Sequence, residues 1–148
     1  MYQNILIATD GSEIATRGLS HGLNLAKALK LPVTIITTTH IWPPTAFTDD
    51  AGLFITDSFQ NFEKFASKEA KIILKSAQET ADELDVSCEC IHVGNQYPAE
   101  GILETATSKG CDLIVMSSHG RRGFKKVLLG SVANEVLANS KVPVLIVR

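Results

Sequence analysis

Residues 116–131 read Met-Ser-Ser-His-Gly-Arg-Arg-Gly-Phe-Lys-Lys-Val-Leu-Leu-Gly-Ser, a glycine-rich basic stretch between an apolar run and a helical pattern. Such a stretch suits phosphate. Loop amides and a helix N-terminus direct N–H groups and positive potential outward, and Arg121, Arg122, Lys125 and Lys126 can offset the charge of a polyphosphate. For at least two of these four cations a solvated loop is the better reading. A second chemical feature is Asp10, which follows the first apolar run in Ala8-Thr9-Asp10-Gly11-Ser12. Its carboxylate can meet a ligand or serve only as a helix cap.

Other chemistries lack their residues. The loop Gly-x-x-x-x-Gly-Lys-Ser/Thr of ATP-hydrolysing enzymes is absent, and only Gly11 stands where a dinucleotide fingerprint would need three glycines. Ser117-Ser118-His119 superficially suggests a hydrolase, but no Gly-x-Ser-x-Gly elbow surrounds it. A phosphoacceptor receiver would carry an acidic pair after the first strand and an aspartate after the third, where this chain has Asp10 alone and Gly94-Asn95-Gln96. Cys88 and Cys90 share a strand face, but two thiols make half a zinc site, so they read as packing residues.

The 148 residues, 45% of them hydrophobic, fit one domain spanning 1–148 with enough interior to fold without disulfides or metal. A net charge of -2 and a pI near 6.1 give no global basic field, which argues against nucleic acid and favours a small anionic ligand on a local patch. Three cysteines form no even framework, and Ile5-Leu6-Ile7-Ala8 starts almost at once with no basic leader, so a cytoplasmic location is expected. No apolar run approaches the roughly 20 residues of a membrane helix, so no membrane insertion is expected.

The elements that must hold these residues alternate strictly. Asn4 to Thr9 is almost wholly apolar, the pattern of a strand covered on both faces, and Ser12 is a plausible cap for a helix with Ile14, Gly18, Gly22, Leu25, Ala26 and Leu29 on one side. Val33 to Thr39 is a β-branched second strand; His40 to Asp57 reads as a flap or lid. A long helix from about Ser58 to Leu84 places Phe62, Ala66, Ala70, Ile73, Ala77, Ala81 and Leu84 inward. The more polar Val86 to Val93 reads as an edge strand, and Pro98 opens a helix that stops at Lys109-Gly110 with Ile102, Leu103 and Ala106 inward. Leu113 to Ser117 is a fourth strand, Ser131 to Asn139 a helix carrying Val132, Val136 and Leu137, and Val142 to Val147 a fifth strand. This βα alternation predicts an open, parallel five-stranded sheet with helices on both faces. With strand order 3-2-1-4-5, the loops after strands one and four converge at the switch point where such folds bind ligands.

The chain resembles the universal stress proteins over its whole length. That family's nucleotide pattern is Gly, two residues, Gly, nine residues, Gly-Ser/Thr; here Gly120 and Gly130-Ser131 fill the later parts and Ser117 stands at the first glycine. The resemblance implies a Rossmann-like α/β fold of the adenine nucleotide alpha hydrolase type, binding ATP, ADP or AMP with Mg2+. Carried over by position, Ala8, Thr9 and Asp10 would border base and ribose, Asp10 also reaching the metal, and Thr38 would face adenine. Met116, Ser117, His119 and Gly120 would surround ribose and phosphates, with Arg121 and Arg122 beside them. Gly130, Ser131, Val132 and Ala133 would present amides and one hydroxyl to the phosphate tail. The resemblance further implies a regulatory stress-response module with at most slow ATP hydrolysis, a homodimer through the C-terminal strand, and an unknown regulated protein. The competing expectation is a dimer that binds no nucleotide and acts only through protein contacts.

Overall fold

A computed structural model describes residues 1–40, 52–120 and 129–148, the side chains of 52–58 excepted. The elements run β1 (Ile5–Ala8), α1 (Glu13–Leu29), β2 (Val33–Thr38), α2 (Gly52–Glu83), β3 (Cys88–Val93), α3 (Pro98–Ser108), β4 (Leu113–Ser117), α4 (Ser131–Asn139) and β5 (Val144–Val147). The sheet has five parallel strands, as the alternation predicts, and their order is β3-β2-β1-β4-β5, the one that brings the loops after the first and fourth strands together.

β1 lies at the centre because nothing in it needs water. Ile5, Leu6 and Ile7 have no exposed surface, and each such side chain contributes about 1.5–3 kcal/mol on burial. Alternation sends Ile5 and Ile7 into one core with Leu19, Leu23, Ala77 and Ala81 of α1 and α2. Leu6 enters the other with Ile102, Ala106, Ala133 and Val136 of α3 and α4. α1 approaches the sheet so closely that a Cβ on Gly22 would stand 2.6 Å from Ile7 Cδ1, so the glycine is needed for space.

Some faces differ from the periodicity. The buried side of α1 is Ala15, Gly18, Leu19, Gly22, Leu23 and Ala26. It is turned by about one residue from the expected stripe, leaving Ile14 and Leu25 half-buried and Leu29 exposed, because the glycines set which line of the helix touches β1. On α4 Val136 is buried as expected, whereas Leu137 is exposed. α2 begins at Gly52, before the expected Ser58, so part of the stretch read as a flap is helical. Extending an established helix adds one hydrogen bond per residue fixed, which needs no capping signal. Residues 41–51 of that stretch lie outside the described residues. β3 is an edge strand, as its polarity predicts. Under α2, its Cys88 and Cys90 thiols are half-buried; burial, then the neighbouring Cys88, pushes Cys90 up to about 12. No helix among the described residues is long and apolar enough to cross a membrane.

Candidate functional site

β1 and β4 are neighbours, with Ala8 paired to Met116, so the segments that leave their carboxyl ends diverge from one point. α1 follows the first and α4 the second. Pairing of Ala8 with Ile36 and the two-residue period put Ala8, Thr38 and Met116 on the α3/α4 side of the sheet, while Thr9 and Ser117 turn toward α1. Thr38 sits at the far side of this edge, where a Cβ on Gly101 of α3 would stand 3.5 Å from its Cγ2.

The turn after β1 is held by its own side chains. Thr9 Oγ1 accepts from the Gly11 amide at 3.3 Å, Asp10 Oδ1 from the Ser12 amide at 3.0 Å, and Ser12 Oγ from the Ala15 amide at 3.3 Å. The expected cap therefore forms, and Gly11 takes the left-handed backbone (φ 76°) that the turn requires. Asp10 is brought against the loop after β4: a Cβ on Gly120 would lie 2.5 Å from Asp10 Oδ2. Two expected site residues far apart in sequence thus meet, and glycine is the residue that permits it.

Ser117 occupies the position where the pattern has glycine, but its backbone needs none. Left-handed φ occurs among the described residues at Gly11, Lys30, Asp85, Asn95 and Gly110, not at Ser117. Its side chain is buried and donates to the His119 carbonyl at 2.6 Å, while α1 packs so near that a Cβ on Gly18 would stand 3.3 Å from the Ser117 nitrogen. What Ser117 can offer a ligand on the open side is therefore backbone.

Gly130 is the N-cap of α4, and no side chain among the described residues caps this helix. The first intrahelical bond runs from Asn134 N to Gly130 O at 2.9 Å, so the helix leaves the amides of Ser131, Val132 and Ala133 without an intrahelical acceptor. The Ala133 side chain is buried in the core and Val132 packs against it, so these two residues can contribute backbone only. The start of α4 is tied to the end of β4 by Gly130 N donating to Ser118 O at 2.7 Å, and a Cβ on Gly130 would lie 3.2 Å from that oxygen. Sequence reasoning missed Ser118. It is buried, its Oγ stands 3.0 Å from His119 Nδ1, and its amide donates to Val147 O at 2.9 Å. Nothing in its residue type marks that pinning role.

Arg121 and Arg122 lie outside the described residues, as do Lys125 and Lys126. Among the described residues no group of three His, Cys, Asp or Glu side chains could hold a metal ion. A lone carboxylate such as Asp10 still fits Mg2+, which keeps several waters and takes most remaining oxygens from phosphates. Two clefts lie elsewhere: one of about 350 Å3 between the C-terminal ends of α3 and α4, and one of about 230 Å3 at the carboxyl end of β2 and β3 beside α2. None of the expected site residues lines either.

Known proteins match this chain over its whole length. The sequence pattern described as the universal stress protein family matches residues 1–148. Universal stress protein YxiE of Bacillus subtilis is 34% identical over 149 residues, covering 100% of both chains. Among solved structures, that of hypothetical protein MJ0577 from Methanocaldococcus jannaschii superimposes with a TM-score of 0.81 at 28% identity, covering 99% of this chain and 96% of that one. A universal stress protein solved in complex with cAMP superimposes with a TM-score of 0.70 at 26% identity, over 99% of this chain and 97% of its own.

Proposed function

Because the chain belongs to the universal stress protein family, we propose that it binds an adenine nucleotide at the carboxyl ends of β1 and β4 and uses it as a regulatory signal. The observation that carries this reading is the uncapped start of α4 at Gly130, tied to the end of β4 by the Ser118 carbonyl, while Gly120 stands against Asp10. Three amides with no acceptor inside the helix and the positive end of its dipole suit a phosphate chain. In this reading the backbone of Met116, Ser117 and Gly120 borders the ribose and phosphates, and Ala8, Thr9 and Thr38 border the base. Asp10 holds ribose hydroxyls or Mg2+, which would neutralise phosphate charge, and Arg121, Arg122 and His119 flank the phosphates. ATP, ADP and AMP are the ligands proposed, and the cAMP complex of a relative adds cyclic nucleotides to the panel worth testing. Hydrolysis at this site is at most slow.

Mass spectrometry of ligand released from freshly purified protein, followed by calorimetry with ATP, ADP, AMP and cAMP with and without Mg2+, tests the proposal. Micromolar to low-millimolar binding of an adenine nucleotide supports it. Silence across the panel would leave the family's other mode, action through protein contacts alone. The same reading includes a cytoplasmic homodimer that engages a regulated protein. β5 supports the dimer, being an edge strand with β4 as its one sheet neighbour among the described residues, a ladder edge that a second copy can extend. A monomer by light scattering would reject that part.

A further inference from the structure

Cys88 and Cys90 stand two apart on β3, in register with Val33 and Ile35 of β2, and both pack against the α1/α2 core. They therefore share one face of the sheet. Above them lies α2: Cys90 Sγ stands 3.6 Å from Gln78 Oε1 and 3.8 Å from Leu74 O, while the Cys88 thiol hydrogen-bonds to Cys90 and to the same Gln78. Both sulfurs thus converge on one amide. Gln78 Nε2 in turn donates to Asp82 Oδ1 at 2.8 Å, which leaves the amide oxygen on the side of the thiols.

Two thiols are half of a tetrahedral zinc site, and among the described residues no third His, Cys, Asp or Glu completes it. For a different ion they are a full set. A monovalent d10 cation such as Cu(I) is satisfied by two thiolates in a line and prefers soft sulfur to the oxygens around it. Residues two apart in a strand are separated by about 6.6 Å, near the upper end of what a disulfide spans, so an S–S bond is not the relaxed outcome. An ion between the sulfurs, roughly 2.3 Å from each, suits that separation. Because β3 is an edge strand and both thiols are half-buried, an ion can enter from the rim while α2 covers it from above. Burial, then the neighbouring Cys88, keeps Cys90 protonated at neutral pH, so oxidants and electrophiles find no thiolate and only a strongly thiophilic ion displaces the protons.

We propose that Cys88 and Cys90 form a two-coordinate site for a monovalent thiophilic metal ion, with Cu(I) as its ligand. Binding breaks two S–H bonds, forms two S–Cu bonds and releases both protons to solvent. Copper stays Cu(I) throughout, so the step needs no oxidant or reductant. The product is a bis-thiolate of net charge -1, and Asp82, the carboxylate that acts on both thiols, is exposed, so water screens the two charges from each other. The site is independent of the nucleotide reading, since it lies under α2 and not at the carboxyl ends of β1 and β4.

The test is an anaerobic titration of the reduced full chain with Cu(I) in competition with the chromophoric chelator bicinchoninate, and a parallel one with Zn2+ against a zinc-sensitive dye. One Cu(I) per chain is expected, with Zn2+ held at least about a thousandfold more weakly. C88S and C90S are each expected to weaken Cu(I) about a thousandfold, whereas C111A, which removes the buried thiol of the other core, should leave it within about twofold. Amide NMR spectra unchanged outside β3 and α2 verify that the cysteine-to-serine variants are folded. Since two protons leave, affinity should rise about a hundredfold per pH unit near neutrality. Bound Cu(I) should also raise the unfolding temperature, because a site assembled by the fold binds the native chain better than the unfolded one. Binding that survives the loss of either thiol, a rise of only about tenfold per pH unit, equal affinity for Zn2+, or an unmoved unfolding temperature would overturn the proposal.

Discussion

Two helices begin side by side at the carboxyl edge of the sheet, and they treat their exposed amides in opposite ways. At α1 the chain answers its own donors: Ser12 Oγ takes the Ala15 amide, Asp10 Oδ1 takes the Ser12 amide, and Glu13 adds a carboxylate in the first turn. At α4 the cap is Gly130, with no capping side chain among the described residues and no acidic residue in the first turn. A glycine cap forgoes roughly a few tenths of a kcal/mol relative to a serine or aspartate cap. The difference sets an end closed by its own side chains beside one whose amides the proposed phosphate would take, with Asp10 at the boundary between them.

The contrast is broken most completely by G120V. Its Cβ would stand 2.5 Å from Asp10 Oδ2, so either the carboxylate or the loop must move, and nucleotide affinity measured by calorimetry should fall by about a hundredfold or more. Next comes G130D, which gives α4 the kind of self-made cap that α1 already has. Its carboxylate would compete with phosphate for the same amides and add like charge, lowering ATP affinity about thirtyfold. The Ser118 carbonyl 3.2 Å from the new Cβ must give slightly, so thermal unfolding is measured alongside to separate that strain from competition. Full ATP affinity in folded G130D would mean that α4 is not where phosphate sits.

D10N sharpens the boundary. Asparagine keeps an oxygen for the Ser12 amide, so the turn and the stability should survive, while the charge available to Mg2+ or ribose is lost. Affinity for Mg2+-ATP should fall about tenfold, and the gain in affinity on adding Mg2+ should shrink toward zero in paired titrations with and without the metal. An unchanged metal dependence would remove Asp10 from the proposed site.

The elements behind this contrast were legible because each rests on a local pattern. β4 and α4 lie where the apolar run and the following periodicity predict, and strict alternation with right-handed crossovers gives a parallel sheet and leaves few orders, of which the chain takes 3-2-1-4-5. What sequence missed depends on contacts between distant residues. The turning of α1 follows from Gly22 against Ile7, and the role of Gly120 appears only when Asp10 stands beside it. Ser117 shows the same limit: a serine in place of glycine suggests lost backbone freedom, yet its φ is not left-handed and its hydroxyl is taken by the His119 carbonyl. The cleft beside α2 had no motif at all, because its walls come from the residues just after β2, from β3 and the segment beyond it, and from α2.

The mildest test works from the closed side. S12A removes the oxygen that accepts the Ala15 amide at 3.3 Å and should cost about 1 kcal/mol of stability, read as a lower denaturant midpoint with an unchanged slope. The Ser12 carbonyl still accepts from Thr16 N at 2.8 Å, so the helix itself persists and Asp10 keeps its backbone partner. Nucleotide affinity should therefore stay within about twofold of the parent. A loss of affinity as large as that of G130D would show that α1 and α4 share the ligand, and that the division between a closed end and an open one is wrong.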